Sequence, residues 1–176
     1  GRGLAFSKAP LPKGDRVAII TNAGGGGVLT VDAMEKAGLQ LVEFDEETTA
    51  KLQECVTDEG SAKNPIDVLG DAPVIRYKES LELVLGYEDV DSLIVMVCPT
   101  ASADPDGIAE AIIEEKKKFD KPVIVVNMGG PTFVDANDAL RDNGIPTYVF
   151  PETAVKAVEA MVKFARLEER QYDDVI

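Results

Sequence analysis

Histidine is absent from this chain of 176 residues, and its absence excludes several chemistries at once. No Ser–His or Cys–His nucleophile pair can form within the chain, because the general base is missing. Zinc binding by imidazole and phosphoryl transfer through a histidine of this chain are excluded for the same reason. Any reaction step that needs a histidine must therefore take it from another domain.

Cysteine and aromatic residues are also scarce, with two cysteines, no tryptophan and 6% aromatic residues. Because Cys55 and Cys98 belong to no Cys-x-x-Cys pair, neither a metal site nor a disulfide framework is expected. Two unpaired thiols are typical of a reducing compartment, so we predict a cytoplasmic location. No signal peptide is visible, and no apolar run approaches the roughly 20 residues that span a membrane.

Acidic residues outnumber basic ones, 32 to 18, which gives a net charge of −14. Such a surface repels nucleic acid and anionic membranes, so neither is expected as a partner. The hydrophobic content of 45% is normal for a soluble globular protein, and the length fits one domain. We predict a lead-in over residues 1–15, a domain over 16–166 and a tail or linker over 167–176.

Short apolar runs alternate with segments of helical periodicity along the chain. The pattern predicts strands at 17–20, 41–44, 93–97, 123–126 and 147–150. It predicts helices at 28–37, 46–55, 77–85, 105–118, 134–143 and 152–166, with a long loop at 57–73. Strands that are apolar throughout favour a parallel sheet covered on both faces. We therefore expect an α/β fold: a flavodoxin-like, doubly wound, five-stranded and mainly parallel sheet with helices on both faces.

The loop after the first strand carries four consecutive glycines, Gly24, Gly25, Gly26 and Gly27, behind Asn22. Glycine allows positive φ and close approach of the backbone, and the free N–H groups at a helix start favour an anion. The pattern is neither a P-loop nor a GxGxxG fingerprint, because no Gly-Lys-Ser/Thr follows and Leu29 replaces the third glycine. The alternatives are a phosphate or carboxylate site, which we favour, and a tight turn without a ligand.

Three further loops contain candidate site residues. Thr100, Ala101 and Ser102 precede a helix whose N-cap is predicted at Asp104, so this loop is either a second anion site or ordinary capping. Gly129 and Gly130 allow a turn or a close approach, of which the turn is commoner. The segment from Asn64 to Asp67 lies in the long loop, where Asp67 is either a ligand or, as the sequence favours, the acceptor of an Asx turn.

Four separated motifs together resemble one domain of the ADP-forming acyl-CoA synthetases, relatives of succinyl-CoA synthetase and ATP-citrate lyase. The motifs are the run 17–25 (VAIITNAGG), Asn64-Pro65-Ile66-Asp67, Pro99-Thr100-Ala101 and Met128-Gly129-Gly130. They occur in the family order, and the resemblance covers about residues 14–166. Relatives often have a proline after the second glycine of the first loop, where this chain has Gly26.

The resemblance implies a part in the reaction acyl-CoA + ADP + phosphate ⇌ acid + CoA + ATP, through an acyl phosphate and a phosphohistidine. It implies partner domains of CoA-binding, histidine-bearing and ATP-grasp types, in the same enzyme or in a partner subunit. CoA, ADP or ATP and Mg²⁺ would bind to the complete enzyme, and this chain alone would be inactive. The loops at Gly24–Gly27 and Thr100–Ser102 would then line the site for acyl phosphate and phosphohistidine.

Three alternatives have the same predicted fold. A stand-alone regulatory module that binds acyl-CoA or another anion without turnover is compatible with the sequence. A phosphorylation-controlled receiver domain needs an acidic pocket at two strand ends, which here read Thr21-Asn22 and Cys98-Pro99. A flavin-binding electron carrier would need aromatic residues beside the isoalloxazine ring, and this chain has few.

Overall fold

The chain folds into alternating strands and helices, seen here in a computed structural model that describes the backbone of residues 9–173 and the side chains of residues 9–170. Residues 1–8 of the predicted lead-in and 174–176 of the predicted tail lie outside the described residues. The elements in chain order are β1 (Arg16–Thr21), α1 (Gly24–Ala37), β2 (Gln40–Leu41), α2 (Glu46–Val56), β3 (Ile66–Asp67), α3 (Val74–Gly86), β4 (Ser92–Val97), α4 (Pro105–Lys116), β5 (Val123–Asn127), a 3-10 turn (Gly130–Phe133), α5 (Val134–Asp142), β6 (Thr147–Tyr148) and α6 (Pro151–Asp173).

The strands form one sheet in the order β2-β1-β4-β5-β6, and every pair of named strands is parallel. This is the flavodoxin order, in which the chain first winds outward on one side of β1 and then on the other. The α/β class and the doubly wound architecture predicted from the sequence are confirmed.

The sheet contains a sixth strand that the sequence pattern did not indicate. The segment 57–73, predicted to be a loop, contains β3, whose Ile66 and Asp67 pair with Ile20 and Thr21 at the end of β1. The opposite end of β1 pairs with β2 at Arg16 and Val17. Two very short strands therefore share one flank of β1. Two residues are too few to produce the alternation or apolar run by which a strand is recognised.

Several element boundaries differ from the predicted ones. Helix α1 begins at Gly24 and not at Val28, so the four glycines form its first turn and are not a loop before it. Helix α3 begins at Val74, and β2 and β6 are shorter than predicted. Helix α6 continues to Asp173, which places part of the predicted tail in a helix. The domain boundaries at 16 and 166 stay predictions.

Several helix ends and caps agree with the predictions from the local sequence. Gly38 and Gly144 adopt the left-handed conformation, with φ of 70° and 75°, where α1 and α5 end. This conformation is cheap only for glycine, so both residues stop their helices as predicted. Asp104 accepts a hydrogen bond from the Gly107 N–H at 3.0 Å and caps α4. No helix within residues 9–173 is long and apolar enough to cross a membrane.

Two apolar cores lie on opposite faces of the sheet. Residues of α1 and α6 cover one face, where Met34 and Val158 pack against alternate residues of β1, β4 and β5. Residues of α2, α3, α4 and α5 cover the other face, where Leu52 and Leu81 pack against the intervening residues. Both faces of the sheet are therefore buried, as the uninterrupted apolar strands predict.

Candidate anion-binding site

The order of the strands reverses between β1 and β4, which creates a crevice at the carboxyl ends of these two strands. In open α/β sheets such a switch point is where ligands bind. The crevice here lies between Thr21, the last residue of β1, and Val97, the last residue of β4. The first two loops singled out from the sequence both begin at this point.

The side chain of Asn22 bridges the two strand ends. Its Oδ1 accepts the N–H of Cys98 at 2.8 Å, and its Nδ2 donates to the carbonyl of Cys98 at 2.9 Å. The side-chain amide thus continues the hydrogen-bonding ladder of the sheet beyond the end of the strands. Asn22 is buried and its polar atoms are occupied, so its structural role is to fix the floor of the crevice.

Helix α1 starts directly above this floor and leaves its first N–H groups free. The N-cap residue Ala23 has no side-chain group to accept them, and no acidic residue lies in the first turn. The N–H groups of Gly26 and Gly27 turn back to the Ala23 carbonyl, at 3.0 and 3.2 Å. The N–H groups of Gly24 and Gly25 precede the first intrahelical acceptor, and no partner for them is found among the described residues. The helix dipole adds partial positive charge at the same place.

The space available for a side chain differs among the four glycines. A Cβ on Gly26 would lie 2.5 Å from the Met96 sulfur, and one on Gly27 would lie 3.2 Å from atoms of Pro65 and Thr21. These two glycines let α1 approach the sheet closely. The positive φ expected for the glycine run is not found, because all four residues are helical. Gly25 differs from the others, since a Cβ there would meet nothing within 4 Å.

Asp67 borders the same helix terminus from the opposite side. Its Oδ1 accepts the N–H of Leu69 at 2.9 Å, which confirms the Asx turn favoured by the sequence. Its Oδ2 lies 3.0 Å from the position of a Cβ on Gly24. Leu69 itself has a φ of 71°, an unusual conformation for a branched residue that the turn holds in place. A carboxylate therefore lies directly beside the first residue of α1.

The side chain of Asn64 forms hydrogen bonds with the backbone of the sheet. Its Oδ1 accepts the N–H of Ile19 at 2.9 Å, while its Nδ2 donates to the carbonyls of Val17 and Val42 at 3.1 and 3.0 Å. The side chain stands in for a strand residue between β2 and β3. Two of these bonds reach β1 and the third reaches the residue after β2, so Asn64 has a scaffold role in this part of the sheet.

The hydroxyl groups of the second loop point to a neighbouring loop. Thr100 and Ser102 donate to the Gly70 carbonyl, at 2.6 and 3.2 Å, whereas Ala101 is exposed. The N-terminus of α4 already holds the Asp104 carboxylate and has Asp106 in its first turn. The Asp104 carboxylate thus occupies a donor that an anion would use at α4, whereas α1 has no side-chain cap. The two hydroxyl groups connect the 98–104 loop to the 67–72 segment.

The loop that contains Gly129 and Gly130 has both a turn and a close approach of the backbone to neighbouring residues. Gly130 has a φ of 46° and begins the 3-10 turn. A Cβ on Gly129 would lie 2.7 Å from the Phe133 ring and 2.9 Å from Pro99. The loop therefore packs tightly beside the second loop, and its turn interpretation is confirmed.

Two titratable side chains near the crevice, Tyr77 and Cys98, were not predicted from the sequence as site residues. Tyr77, on α3, is buried, and burial raises the pKa of its hydroxyl, with Cys98 and Asp67 adding to the effect. The hydroxyl has no hydrogen-bond partner. Burial also raises the pKa of the Cys98 thiol. Neither group is therefore a ready nucleophile at neutral pH, and the site offers backbone donors to a ligand.

The described residues contain no group of three or more Cys, Asp and Glu side chains that could hold a metal ion. Residues 17–171 match the family model of the ligase-CoA domain. The chain belongs to the ligase-CoA domain family. This match confirms the resemblance on which the sequence interpretation rested.

Curated relatives of this ligase-CoA domain are ADP-forming ligases. It is 42% identical over 166 residues to the acetate–CoA ligase [ADP-forming] II subunit alpha of Pyrococcus furiosus, covering 92% of this chain and 36% of the relative. It is 34% identical over 161 residues to the 4-hydroxybutyrate–CoA ligase [ADP-forming] of Nitrosopumilus maritimus, covering 92% and 23%. The chain therefore spans between about a quarter and a third of the length of these relatives.

Solved structures agree with the fold of the ligase-CoA domain. The dinucleotide-forming acetyl-coenzyme A synthetase 1 of Ca. Korarchaeum cryptofilum, in complex with phosphate and ADP, superposes with a TM-score of 0.87 at 33% identity. The match covers 98% of this chain and 38% of that structure. The similar region is thus one part of a larger protein in the structure as well.

Proposed function

We propose that this ligase-CoA domain serves an ADP-forming acyl-CoA synthetase, which converts acyl-CoA, ADP and phosphate to acid, CoA and ATP. Its contribution is to bind the phosphoryl group of an acyl phosphate, and of a phosphohistidine that another domain supplies. The names of the relatives support the reaction class. The absence of histidine from the chain supports the division of labour, because the phosphorylated residue must come from elsewhere.

The observation that carries the proposed site is the position of Gly25. Packing accounts for the missing side chains of Gly26 and Gly27, but the space beside Gly25 is open and solvent-exposed. The N–H groups of Gly24 and Gly25 precede the first intrahelical acceptor at the positive end of the helix dipole, where no side chain caps the helix. The Asp67 carboxylate lies beside Gly24, whereas a Cβ on Gly25 would meet no atom within 4 Å. A phosphoryl group placed there accepts backbone hydrogen bonds that need no reorganisation during the reaction. The domain then acts through preorganised electrostatics.

The remaining components of the reaction belong to other parts of the complete enzyme in this proposal. CoA, ADP or ATP and Mg²⁺ bind to CoA-binding and ATP-grasp domains, and a histidine-bearing domain shuttles the phosphoryl group. These domains are carried by the same polypeptide or by a partner subunit. A cytoplasmic location, where all these substrates occur, stays a prediction.

A charge introduced at position 25 tests the site without disturbing the fold. Gly25→Asp adds a carboxylate at a helix start, where it stabilises the helix by about 0.3–1 kcal/mol but repels an incoming anion. We expect the complete enzyme carrying this substitution to lose at least about 100-fold in kcat/KM, comparable to the loss of one oxyanion donor. Gly25→Asn is the matched control, since it has the same size and no charge, and its loss should be clearly smaller.

The activity of the complete enzyme and the free energy of unfolding of each variant together distinguish the possible outcomes. Lower activity together with an unchanged or higher free energy of unfolding, measured in urea, supports an anion site at α1. Activity of Gly25→Asp within about threefold of wild type would remove the site from α1, because a 1.4 kcal/mol change already corresponds to tenfold. Binding of phosphate to the isolated chain, with no effect of Gly25→Asp on the complete enzyme, would favour the stand-alone anion-binding module.

A further inference from the structure

A short stretch of backbone, residues 69–71, crosses the crevice between the ends of β1 and β4 and is called the strap below. The position of a Cβ on Gly70 lies 3.2 Å from the Thr100 Cγ2 and 3.8 Å from the Asn22 carbonyl oxygen. Asn22 directly follows β1, and Thr100 lies in the loop that follows β4. Gly70 therefore occupies space between the two strand ends, where a doubly wound sheet binds its ligands.

Both ends of the strap are anchored to the rest of the fold. On one side, the N–H of Val68 donates to the Thr21 carbonyl at 2.8 Å. The Val68 carbonyl accepts a hydrogen bond from the Arg76 Nη1, also at 2.8 Å. On the other side, Ala72 is buried two residues before α3 begins. Movement of the strap is thus confined to its three residues and leaves the sheet and α3 in place.

The middle of the strap is held across the crevice by side chains. The hydroxyl groups of Thr100 and Ser102 donate to the Gly70 carbonyl, at 2.6 and 3.2 Å. Asp71 is 76% exposed and lies 3.4 Å from the Arg76 guanidinium, and an ion pair this exposed contributes little. Water replaces hydrogen bonds of this kind at small net cost. Loss of the two hydroxyl contacts therefore releases the strap.

Two features show that the closed strap is not fully relaxed. Leu69 has a φ of 71°, which is unfavourable for a branched residue. The buried Tyr77 hydroxyl has no hydrogen-bond partner, and a buried donor without a partner is rare. Burial raises the pKa of this hydroxyl, and Cys98 and Asp67 raise it further, so it lies near both sides of the crevice. Strain and an unsatisfied donor thus occur together beside the strap.

We propose that the strap is a gate, which closes the crevice in the conformation described above and opens to admit the acyl part of an acyl phosphate. The identity of this ligand rests on the proposed function, whereas the opening is a property of the chain. Opening relieves the left-handed conformation of Leu69 and brings a partner within reach of the Tyr77 hydroxyl. The acyl part then takes the space of Gly70, while the phosphoryl group binds at Gly25, where the surface is already open.

A disulfide between positions 70 and 100 tests the gate by locking it closed. The 3.2 Å from the Cβ position on Gly70 to the Thr100 Cγ2 is close to the separation of about 3 Å between a Cβ and the far sulfur of a disulfide. Gly70→Cys and Thr100→Cys together should therefore form the bond. Cys98→Ser is added to every variant, so that the native thiol cannot compete.

Activity with and without reductant then measures the effect of the lock. We expect the complete enzyme with both substitutions to lose at least about tenfold in kcat/KM for acetyl-CoA on oxidation, and to recover it on reduction. Each single variant carries one of the substitutions without the bond, so oxidation should change its kcat/KM by less than about twofold. An oxidised double variant that works within about twofold of its reduced form would overturn the proposal.

Hydrogen exchange of the 176-residue chain tests the opening without an assay of ligase activity. The N–H groups of Leu69 and Ala72 are bonded locally, to the Asp67 carboxylate and the Leu69 carbonyl. We expect both to exchange at least about 100-fold faster than the N–H of Val95 in β4, and at least about tenfold more slowly once the disulfide forms. Exchange of Leu69 as slow as that of Val95 would contradict a gate.

The Gly25→Asp experiment separates this proposal from the proposed function. If Gly25→Asp loses activity but the disulfide has no effect, the phosphoryl site is retained and the gate is rejected. If the disulfide abolishes activity but Gly25→Asp has no effect, the gate is retained and the phosphoryl site at α1 is rejected.

Discussion

The sulfur of Met96 occupies the space into which a side chain on Gly26 would extend, with only 2.5 Å between that sulfur and the position of a Cβ. Met96 is fully buried in β4, so it cannot move aside toward solvent. The first turn of α1 therefore rests directly on a core side chain of the neighbouring strand. Contact of this kind links the position of the proposed phosphoryl site to the packing of the core.

Gly26→Ala should destabilise the chain because its methyl group overlaps the Met96 sulfur. We expect the free energy of unfolding in urea to fall by about 1–3 kcal/mol, the usual cost of overpacking. Gly25→Ala is the control, since it has open space and gains helix propensity, so its stability should be unchanged or up to about 1 kcal/mol higher. A double-mutant cycle with Met96→Ala should show a favourable coupling of about 0.5–3 kcal/mol, because shortening Met96 makes room for the methyl group. Additive effects would contradict the contact.

Asn64→Ala removes two side-chain hydrogen bonds to β1 and a third to Val42, the residue after β2. The N–H of Ile19 and the carbonyls of Val17 and Val42 lose their side-chain partners. We expect a loss of about 2–4 kcal/mol in the free energy of unfolding, because the buried N–H of Ile19 is left unpaired, although the Val17 carbonyl keeps the N–H of Val42. Asn143→Ala, which removes one bond from an exposed amide, should change it by less than about 0.5 kcal/mol. Similar losses for the two variants would mean that Asn64 is not a scaffold residue.

The fold was predictable where the sequence pattern alone determines the structure. The apolar runs of β1, β4 and β5 identify strands covered on both faces, because such runs have no solvent-facing positions. Gly38 and the Asp104-Pro105 pair mark helix ends through local geometry. In contrast, β3 consists of two residues held by β1, and no local pattern announces a partner that is distant in sequence.

The sequence identified the loops that form the candidate site, but it did not predict what each residue in those loops contacts. Glycine has poor helix propensity, so the run at Gly24–Gly27 suggested a loop, whereas packing against Met96 and Pro65 makes it helical. Thr100 and Ser102 could not be seen to bond to Gly70, because the direction of a hydroxyl depends on a segment 30 residues away. The contact between the Cys98 and Met128 sulfur atoms likewise depends on the register between β4 and β5.

Tyr77→Phe should have little cost at neutral pH and an increasing benefit at high pH. The buried hydroxyl has no partner, so its removal should leave stability unchanged or raise it by up to about 1 kcal/mol at pH 7. The raised pKa means that the folded state keeps its proton above pH 10 while the unfolded state releases it. Wild type therefore loses stability as pH rises above about 10, by up to about 1.4 kcal/mol per pH unit, and the variant lacks this loss.

Unfolding in urea at pH 7 and at pH 11 would measure this difference between Tyr77→Phe and wild type. Comparison at each pH cancels the other groups that titrate in the alkaline range. A variant that is less stable by more than about 1 kcal/mol at pH 7 would indicate that an ordered water satisfies the hydroxyl.

Thr100→Val tests whether the hydroxyl groups of the second loop hold the 67–72 segment. The substitution keeps the Cγ2 methyl group, which lies 3.2 Å from the position of a Cβ on Gly70, and removes the hydrogen bond to the Gly70 carbonyl. We expect a loss of about 0.5–1.5 kcal/mol in the free energy of unfolding and faster hydrogen exchange of the segment. A complete enzyme with Thr100→Val that loses activity as strongly as Gly25→Asp, at unchanged stability, would instead assign the hydroxyl to the ligand.

Two short strands, β2 and β3, share one flank of β1. This arrangement also affects whether copies of the molecule can associate through the edges of their sheets. Each outermost strand of the sheet is two residues long, β2 and β3 on one side and β6 on the other. The outer side of Asp67 is already closed by two backbone hydrogen bonds with Ser61. Exposed edges are where chains add strands to one another and aggregate, and very short edge strands prevent this. Within residues 9–173 the sheet thus offers a second molecule little backbone on which to extend it, and the net charge of −14 opposes such an approach.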